Sequence, residues 1–517
     1  MAIKTKTIPV KTTPKIPDIN DFWYDDVLHR KLCAKLLDDI ISATGEPVTI
    51  FLDGEWGSGK TFFLNRWMCQ LKSEGRKVVM FNAWQDDDIC DPLVSMVGQL
   101  HINLHNKPGY KRNVASMLKS AGHVINGIVE EMSYITEHHT GLSPTRLVRA
   151  SGSRLERMIE TYSEKIKNKK LFKERLRGLA DSVYDKTGYP LVFIVDELDR
   201  SKPTFAIEVL ERIKHYFDIP HIVFVVGVDE AQLQKTIESV YGAIDTQAYL
   251  RRFIDYNLKL PAPNRSDYAN MLWSDYKVDE AFSGYKSKSN LLVSARRAKS
   301  ICVSLCSLHE MTLREMDEVF RIFALILRSF HEDRALPCEL IAALVVLKVR
   351  KPEMCMAWLQ GEASAPEVID ALLPMDVISN FEHIEDLIAA IYATQYKEVS
   401  IVARNANVFI QKVEESEIDG SEFRNPIPVC LRKMKSKDLK AIVSKVKELR
   451  PEHGRNNLYT FKNLVRIGSK FDFLLRALQI RDGMPNDISH ISQKAPSHSG
   501  GRIVLNVDAF PVSIRHP

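Results

Sequence analysis

Hydrophobic and polar positions along the chain follow two rhythms. Four short apolar stretches, 48–53, 77–82, 190–196 and 221–229, are dense in Val, Ile and Phe. Continuous runs of this kind predict parallel strands buried on both faces. Elsewhere apolar residues recur every three or four positions and predict helices. Residues 18–42 read as one helix, with Leu28, Leu32, Leu36 and Ile40 on its apolar side. Between about 100 and 186 no stretch resembles a strand, and Val114, Met117, Ala121, Val124 and Ile128 keep an amphipathic helical period. Past Asn264 almost everything reads as helix. The pattern predicts an α/β fold: a parallel sheet interrupted by a helical insertion and followed by a mostly helical C-terminal part.

Length, composition and charge sharpen this picture only in places. A chain of 517 residues exceeds one ordinary core. The expected division is 1–45 as an arm and helix, and 46–265 as the sheet domain with its insertion at about 100–186. A helical lid domain at 266–362 and a helical domain and tail at 363–517 follow. The net charge of +5 permits contact with nucleic acid or acidic membranes without arguing for either. Cys302 and Cys306 lie one helical turn apart, but no second cysteine–histidine pair at zinc spacing accompanies them, so they read as reduced thiols. The first 17 residues lack the apolar core of a secretion signal, and the longest apolar run, 341–347, is too short to cross a bilayer. The expectation is a cytoplasmic chain without membrane insertion.

Chemistry enters at the end of the first strand. Gly54-Glu55-Trp56-Gly57-Ser58-Gly59-Lys60-Thr61 fits G-x-x-x-x-G-K-[ST], and the run from Phe62 to Met68 reads as a helix. Strand, glycine loop and helix is the context of a phosphate-binding P-loop. Glycines let backbone N–H groups turn inward without a Cβ clash, and the helix N-terminus adds partial positive charge. Lys60 is expected on the β- and γ-phosphates, and Thr61 on Mg²⁺.

The third strand ends in Asp196-Glu197-Leu198-Asp199-Arg200. Ligands gather at the carboxyl ends of such strands, so Asp196 is expected to hold Mg²⁺ and Glu197 to activate the attacking water. No Asn-Lys-x-Asp element for guanine follows, which favours ATP. Asp229, closing the fourth strand, is a candidate sensor of the γ-phosphate. Arg251 and Arg252, before a final strand near 256–261, are either an arginine finger for a neighbouring subunit or a surface pair; Arg200 and Arg212 are weaker candidates for the finger. Arg314, on a predicted lid helix at 312–321, is either a second sensor or a helix-surface residue.

Other clusters carry plainer alternatives. Asp86, Asp87 and Asp88 suit a metal or, more commonly, the approach to a helix N-terminus. The basic stretches at 165–177 and 433–470, the latter interleaved with Tyr459, Phe461 and Phe471, are either solvated or core faces or nucleic-acid contacts.

Together the stretches 53–61, Phe81-Asn82-Ala83-Trp84, 194–200 and 225–229 resemble the KAP family of P-loop NTPases over roughly 20–265. That resemblance implies a sheet of the additional-strand, catalytic-glutamate type, related to oligomerising ATPases. It also implies a bacterial role in phage exclusion. Many members place transmembrane helices between the two motifs, whereas this chain has a polar helical insertion. It also has Asp196-Glu197 where Asp-Asp is commoner. The expectation is a Mg²⁺-dependent ATP hydrolase acting as an oligomeric switch in antiviral defence, with a possible effector-protein partner. The alternatives are a nucleic-acid-stimulated ATPase and a nucleotide-binding scaffold that recruits the effector.

Overall fold

The structure, a computed structural model, describes residues 22–88, 91–138, 152–281, 288–329, 337–373, 381, 383–394 and 436–448. It divides into two compact units: Thr13–Tyr268 together with Thr312–Arg314, and Ala269–Met311 together with the chain from Glu315 onward.

The first unit is built on five strands: β1 (Val48–Asp53), β2 (Val78–Asn82), β3 (Leu191–Asp196), β4 (Ile222–Val228) and β5 (Tyr256–Lys259). They lie in the order β2-β3-β4-β1-β5, all parallel. Strands β1, β3 and β4 are covered on both faces, which is why their sequences show apolar runs and not alternation. On one face Ile50, Leu52, Val192, Ile194, Val223 and Val225 pack with Phe63, Leu64 and Trp67 of α2 (Lys60–Ser73). On the other, Phe51, Phe193, Val195, Phe224 and Val226 join a larger cluster. That cluster takes in α3 (Pro92–Leu104), the antiparallel pair α4 (Lys111–His138) and α5 (Gly152–Thr187), α6 (Pro203–Tyr216) and α7 (Glu230–Tyr241). A short α8 (Thr246–Leu250) precedes β5.

The polar helical insertion is thus a hairpin. Val114, Met117, Ala121 and Val124 of α4 meet Phe172, Leu176, Leu179 and Val183 of α5 in the core. Asn113 bonds the Gly178 carbonyl at 3.1 Å, and Lys186 the Gly109 carbonyl at 2.6 Å.

The N-terminal helix is shorter than its periodicity predicts. Residues 18–21 lie outside the described residues, and α1 spans only Lys31–Ala43. Asp26 accepts the backbone N–H groups of Arg30 at 2.9 Å and Lys31 at 2.8 Å, and His29 sits at φ +54°. The side chain therefore caps a new helix in place of continuing an old one.

The described residues of the second unit are mostly helical. The unit takes in most of α9 (Arg265–Asp275) and α12 (Leu313–Ser329), with α10 (Val278–Ala281) and α11 (Lys288–Leu308) between them. Then come α13 (Cys338–Arg350), α14 (Pro352–Gln360), α15 (Ala365–Leu372), α16 (Ile384–Ala393) and α17 (Ser436–Glu448). Cys302 and Cys306 are buried on α11, and burial pushes the Cys302 thiol well up. Of the basic stretch at 433–470, residues 433–435 and 449–470 lie outside the described residues, as does Phe471. Among the described residues no helix is long and apolar enough to cross a membrane.

Candidate nucleotide site

Strand register brings the polar strand ends together. Asn82 lies opposite Asp196, Asp196 opposite Gly227, and Asp53 opposite Val228. The carboxyl edge of the sheet therefore carries Asp53, Asn82, Asp196 and Asp229 on neighbouring strands.

The loop 54–59 leaves this edge and enters α2 at Lys60. Gly57 at φ +80° and Gly59 at φ +90° use backbone conformations that side chains rarely adopt. Gly54 is tightly surrounded: a Cβ there would lie 3.0 Å from Ser58 Oγ and 3.4 Å from Leu260 Cβ. Lys60 is buried, with Nζ donating to the Gly54 and Glu55 carbonyls. Burial lowers its pKa, while the charges of Asp199, Asp229, Asp196 and Asp53 oppose that shift. Among the loop side chains, Glu55, Trp56, Thr61 and Phe62 remain exposed.

Asp196 is 1% exposed. One carboxylate oxygen accepts the Glu197 N–H at 2.9 Å, and the carboxylate also bonds Thr61. Its Oδ2 has no hydrogen-bond partner among the described residues. Burial raises the pKa from 3.8 to about 6, and the two hydrogen bonds only partly offset it. A buried carboxylate oxygen left bare beside a threonine hydroxyl is the oxygen donor set that Mg²⁺ takes from a protein, with phosphate and water completing the shell.

Glu197 sits at φ +59°, a conformation costing on the order of 1 kcal/mol that surrounding contacts must hold in place. Arg200 reaches its Oε1 at 2.5 Å, and Asn82 donates to Oε2 at 3.0 Å. Both carboxylate oxygens are thereby positioned at the strand edge next to Asp196.

A second network braces the loop. Asp229 accepts the Trp56 N–H at 3.1 Å and, through its other oxygen, caps α7 at Gln232. Asp199, 6% exposed, accepts from the Trp56 indole and from the Asp229 N–H. Thus the expected sensor Asp229 touches the phosphate loop through its backbone. Thr312 and Arg314 flank the same loop: a Cβ on Gly57 would lie 3.0 Å from Thr312 Cβ and 3.4 Å from Arg314 Cβ.

Arg251 and Arg252 are exposed at the end of α8. Three residues on, Asp255 bonds Thr49 through both its N–H (2.9 Å) and its carboxylate (2.7 Å). Thr49 lies near the start of β1, about 15 Å of strand before the phosphate loop. The arginine pair therefore does not join the residues around its own loop. Of the other cations, Arg212 is committed to Asp91 at 2.8 Å, on the side of α3 and α6. In the acidic run 86–88, Asp87 pairs with Lys202, and among the described residues no group of three candidate ligands gathers for a metal.

Asn82, Asp199 and Arg30 also join the site, without a site assignment from the sequence. The first two stand in or beside strand-end motifs, which is a usable signal. Arg30, whose guanidinium donates to the Ser58 carbonyl, has no such mark in the sequence.

A glycine loop between β1 and α2, with an acidic pair closing β3 two strands away, defines a P-loop NTPase. The chain belongs to the KAP family, whose P-loop domain matches residues 30–330. A search of curated proteins found no match. Among solved structures the chain is similar to the Aeropyrum pernix ORC2 protein in its ADPNP–ADP complexes. There the identity is 12%, the coverage 86% of this chain and 95% of that one, and the TM-score 0.31. It is also similar to Drosophila ORC bound to GC-rich DNA and Cdc6, at 11% identity, 88% and 64% coverage and a TM-score of 0.31. For the replication initiator DnaA bound to AMPPCP and single-stranded DNA the values are 13%, 79% and 99%, and 0.24.

Proposed function

We propose that the chain is a Mg²⁺-dependent ATP hydrolase that acts as a nucleotide-driven switch. The observation that carries this reading is the bare, buried Oδ2 of Asp196 beside Thr61, one residue from Glu197 and at the same sheet edge as Lys60. Mg²⁺, held by Thr61 and Asp196, would neutralise charge on the phosphates. Loop N–H groups from Gly54 to Phe62 and the Lys60 ammonium would bind phosphate, and Glu197 would orient and deprotonate water. Arg314, at the edge of the loop and in the first turn of α12, would report phosphate to that helix.

The position of Arg251 and Arg252 favours action on a second copy. Near them Val240, Tyr241, Ile244 and Tyr256 expose apolar surface on the β5 side, while Trp56, Phe62 and Trp84 expose it on the nucleotide side. Two unlike surfaces suit head-to-tail assembly. An arginine supplied across that contact would raise turnover by on the order of 10³–10⁵. The family resemblance supports assigning such a switch to phage exclusion, with killing left to an effector partner.

The test is ATP turnover by the purified chain with Mg²⁺ or EDTA, against Lys60→Ala and Glu197→Gln. Loss in both variants and in EDTA is expected; full activity in Glu197→Gln would remove it as the base. Nucleotide retained without turnover would point to a scaffold.

A second reading, stimulation by nucleic acid, has one specific support. Residues 101–187 hold sixteen Lys and Arg against nine Asp and Glu, whereas the whole chain carries only +5. Lys107, Lys111, Arg112 and Lys119 on the α4 side and Lys167, Lys170, Arg175 and Arg177 on α5 are exposed. DNA- or RNA-dependent turnover that falls steeply with salt is its expected sign.

A further inference from the structure

Arg30 is an arginine buried behind the phosphate loop. It is 2% exposed, and burial lowers its pKa. Its guanidinium donates to the Ser58 carbonyl at 3.3 Å and to the Pro261 carbonyl just beyond β5, while its Nε has no partner among the described residues. Both acceptors of the guanidinium are neutral carbonyls. Asp26 is the carboxylate that acts on it by charge, and the Asp26 side chain is already engaged in capping α1.

The Ser58–Gly59 peptide is trans. In a trans peptide the carbonyl and the following N–H point in opposite directions. Drawing the Ser58 carbonyl outward to Arg30 therefore turns the Gly59 N–H inward, away from the arginine. A cation at the carbonyl end also polarises the peptide and strengthens that N–H as a donor. The positive charge itself lies behind the loop where an anion would be welcome.

We infer that Arg30 is a positioning residue for nucleotide phosphate, acting through the Ser58–Gly59 peptide and not by touching the ligand. It also ties the loop to the exit of β5, so phosphate binding and the placement of Pro261 share one side chain. This inference rests on reading the loop as an ATP site. Loop N–H groups cradle the phosphates that ADP and ATP have in common, so Arg30 serves both nucleotides alike and leaves the water-activating Glu197 untouched.

The experiment compares the full chain with Arg30→Met, which keeps length without charge, and Arg30→Lys, which keeps charge without two-carbonyl reach. ATP and ADP affinities are measured by calorimetry, turnover at saturating ATP by phosphate release, and folding by melting without nucleotide. The parent chain must bind ATP; no binding would overturn the ATP-site reading and this inference with it. Arg30→Met should weaken ATP and ADP equally, on the order of 10- to 100-fold, with kcat within about threefold of the parent. Arg30→Lys should recover part of the affinity. Unchanged affinities in folded Arg30→Met would overturn the inference alone, as would a fall in kcat with affinity preserved or a loss confined to ATP. If Arg30→Met melts too low to assay, Arg30→Lys decides on the same affinities: parental binding of both nucleotides overturns the inference.

Discussion

Gly227 offers a sharp test of how the core supports the site. It lies on β4 opposite Asp196, with α2 packed over it. A Cβ there would fall 2.6 Å from Leu64 Cδ1 and 3.3 Å from Asp196 Oδ1. The first distance is about 1 Å short of ordinary carbon–carbon contact. Leu64 is 0% exposed, so its methyl cannot swing into solvent. Gly227→Ala should therefore cost about 1–3 kcal/mol by overpacking. Melting should fall by roughly 2–4 °C per kcal/mol for a unit of this size. The second distance points to chemistry: the methyl crowds the carboxylate assigned to Mg²⁺, so the Mg²⁺ concentration needed for half-maximal turnover should rise. Gly45→Ala is the control, because a Cβ there meets nothing within 4 Å among the described residues. Urea titration and Mg²⁺-dependent turnover measure the two effects. A Leu64→Ala, Gly227→Ala double mutant should be less destabilised than the sum of its parts, by about 1 kcal/mol or more. Native stability and Mg²⁺ dependence in Gly227→Ala would refute the reasoning, because the packing at this point would then be looser than described.

Two further outcomes follow from the charges. In the metal-free protein the folded Asp196 keeps its proton up to about pH 6, whereas the unfolded chain releases it near 3.8. The folded state binds more protons in that window, so stability should fall as pH rises through it, by about 3 kcal/mol at most. Denaturation at pH 4.5 and 7 in EDTA should show the fall in the parent chain and a flatter profile in Asp196→Asn; equal slopes would remove Asp196 as the source. For the arginine pair, Arg251→Ala/Arg252→Ala and Lys60→Ala should each be inactive, yet mixing them should restore turnover at about a quarter of contacts, where an intact P-loop meets an intact arginine pair. Mixtures as inactive as their components would count against action in trans.

How legible this protein was depends on the range of the physics involved. The strands were readable because a doubly covered sheet needs unbroken apolar runs such as 191–195 and 222–226. The phosphate loop was readable because a backbone that bends around an anion needs glycine at 57 and 59, followed by Lys60 and a helix start. These are local demands, met by neighbouring residues, and periodicity and spacing record them. The start of α1 was misplaced because apolar spacing continues through residues where the Asp26 side chain caps the helix.

Sheet order and register were decided by tertiary structure. They put Asn82 on one oxygen of Glu197, whose other oxygen takes Arg200 from the local turn, and Asp199 under the indole of Trp56. They also separate Arg251 and Arg252 from their own phosphate loop, which changes how that pair can act. Nor could spacing show Arg30, whose acceptors lie 28 and 231 residues away. The sequence by itself determined which chemistry the chain can support, because strand, loop and helix propensities act over a few residues. Only the packed sheet decided which side chains serve that chemistry, because burial and hydrogen bonding depend on what the fold brings within a few ångströms.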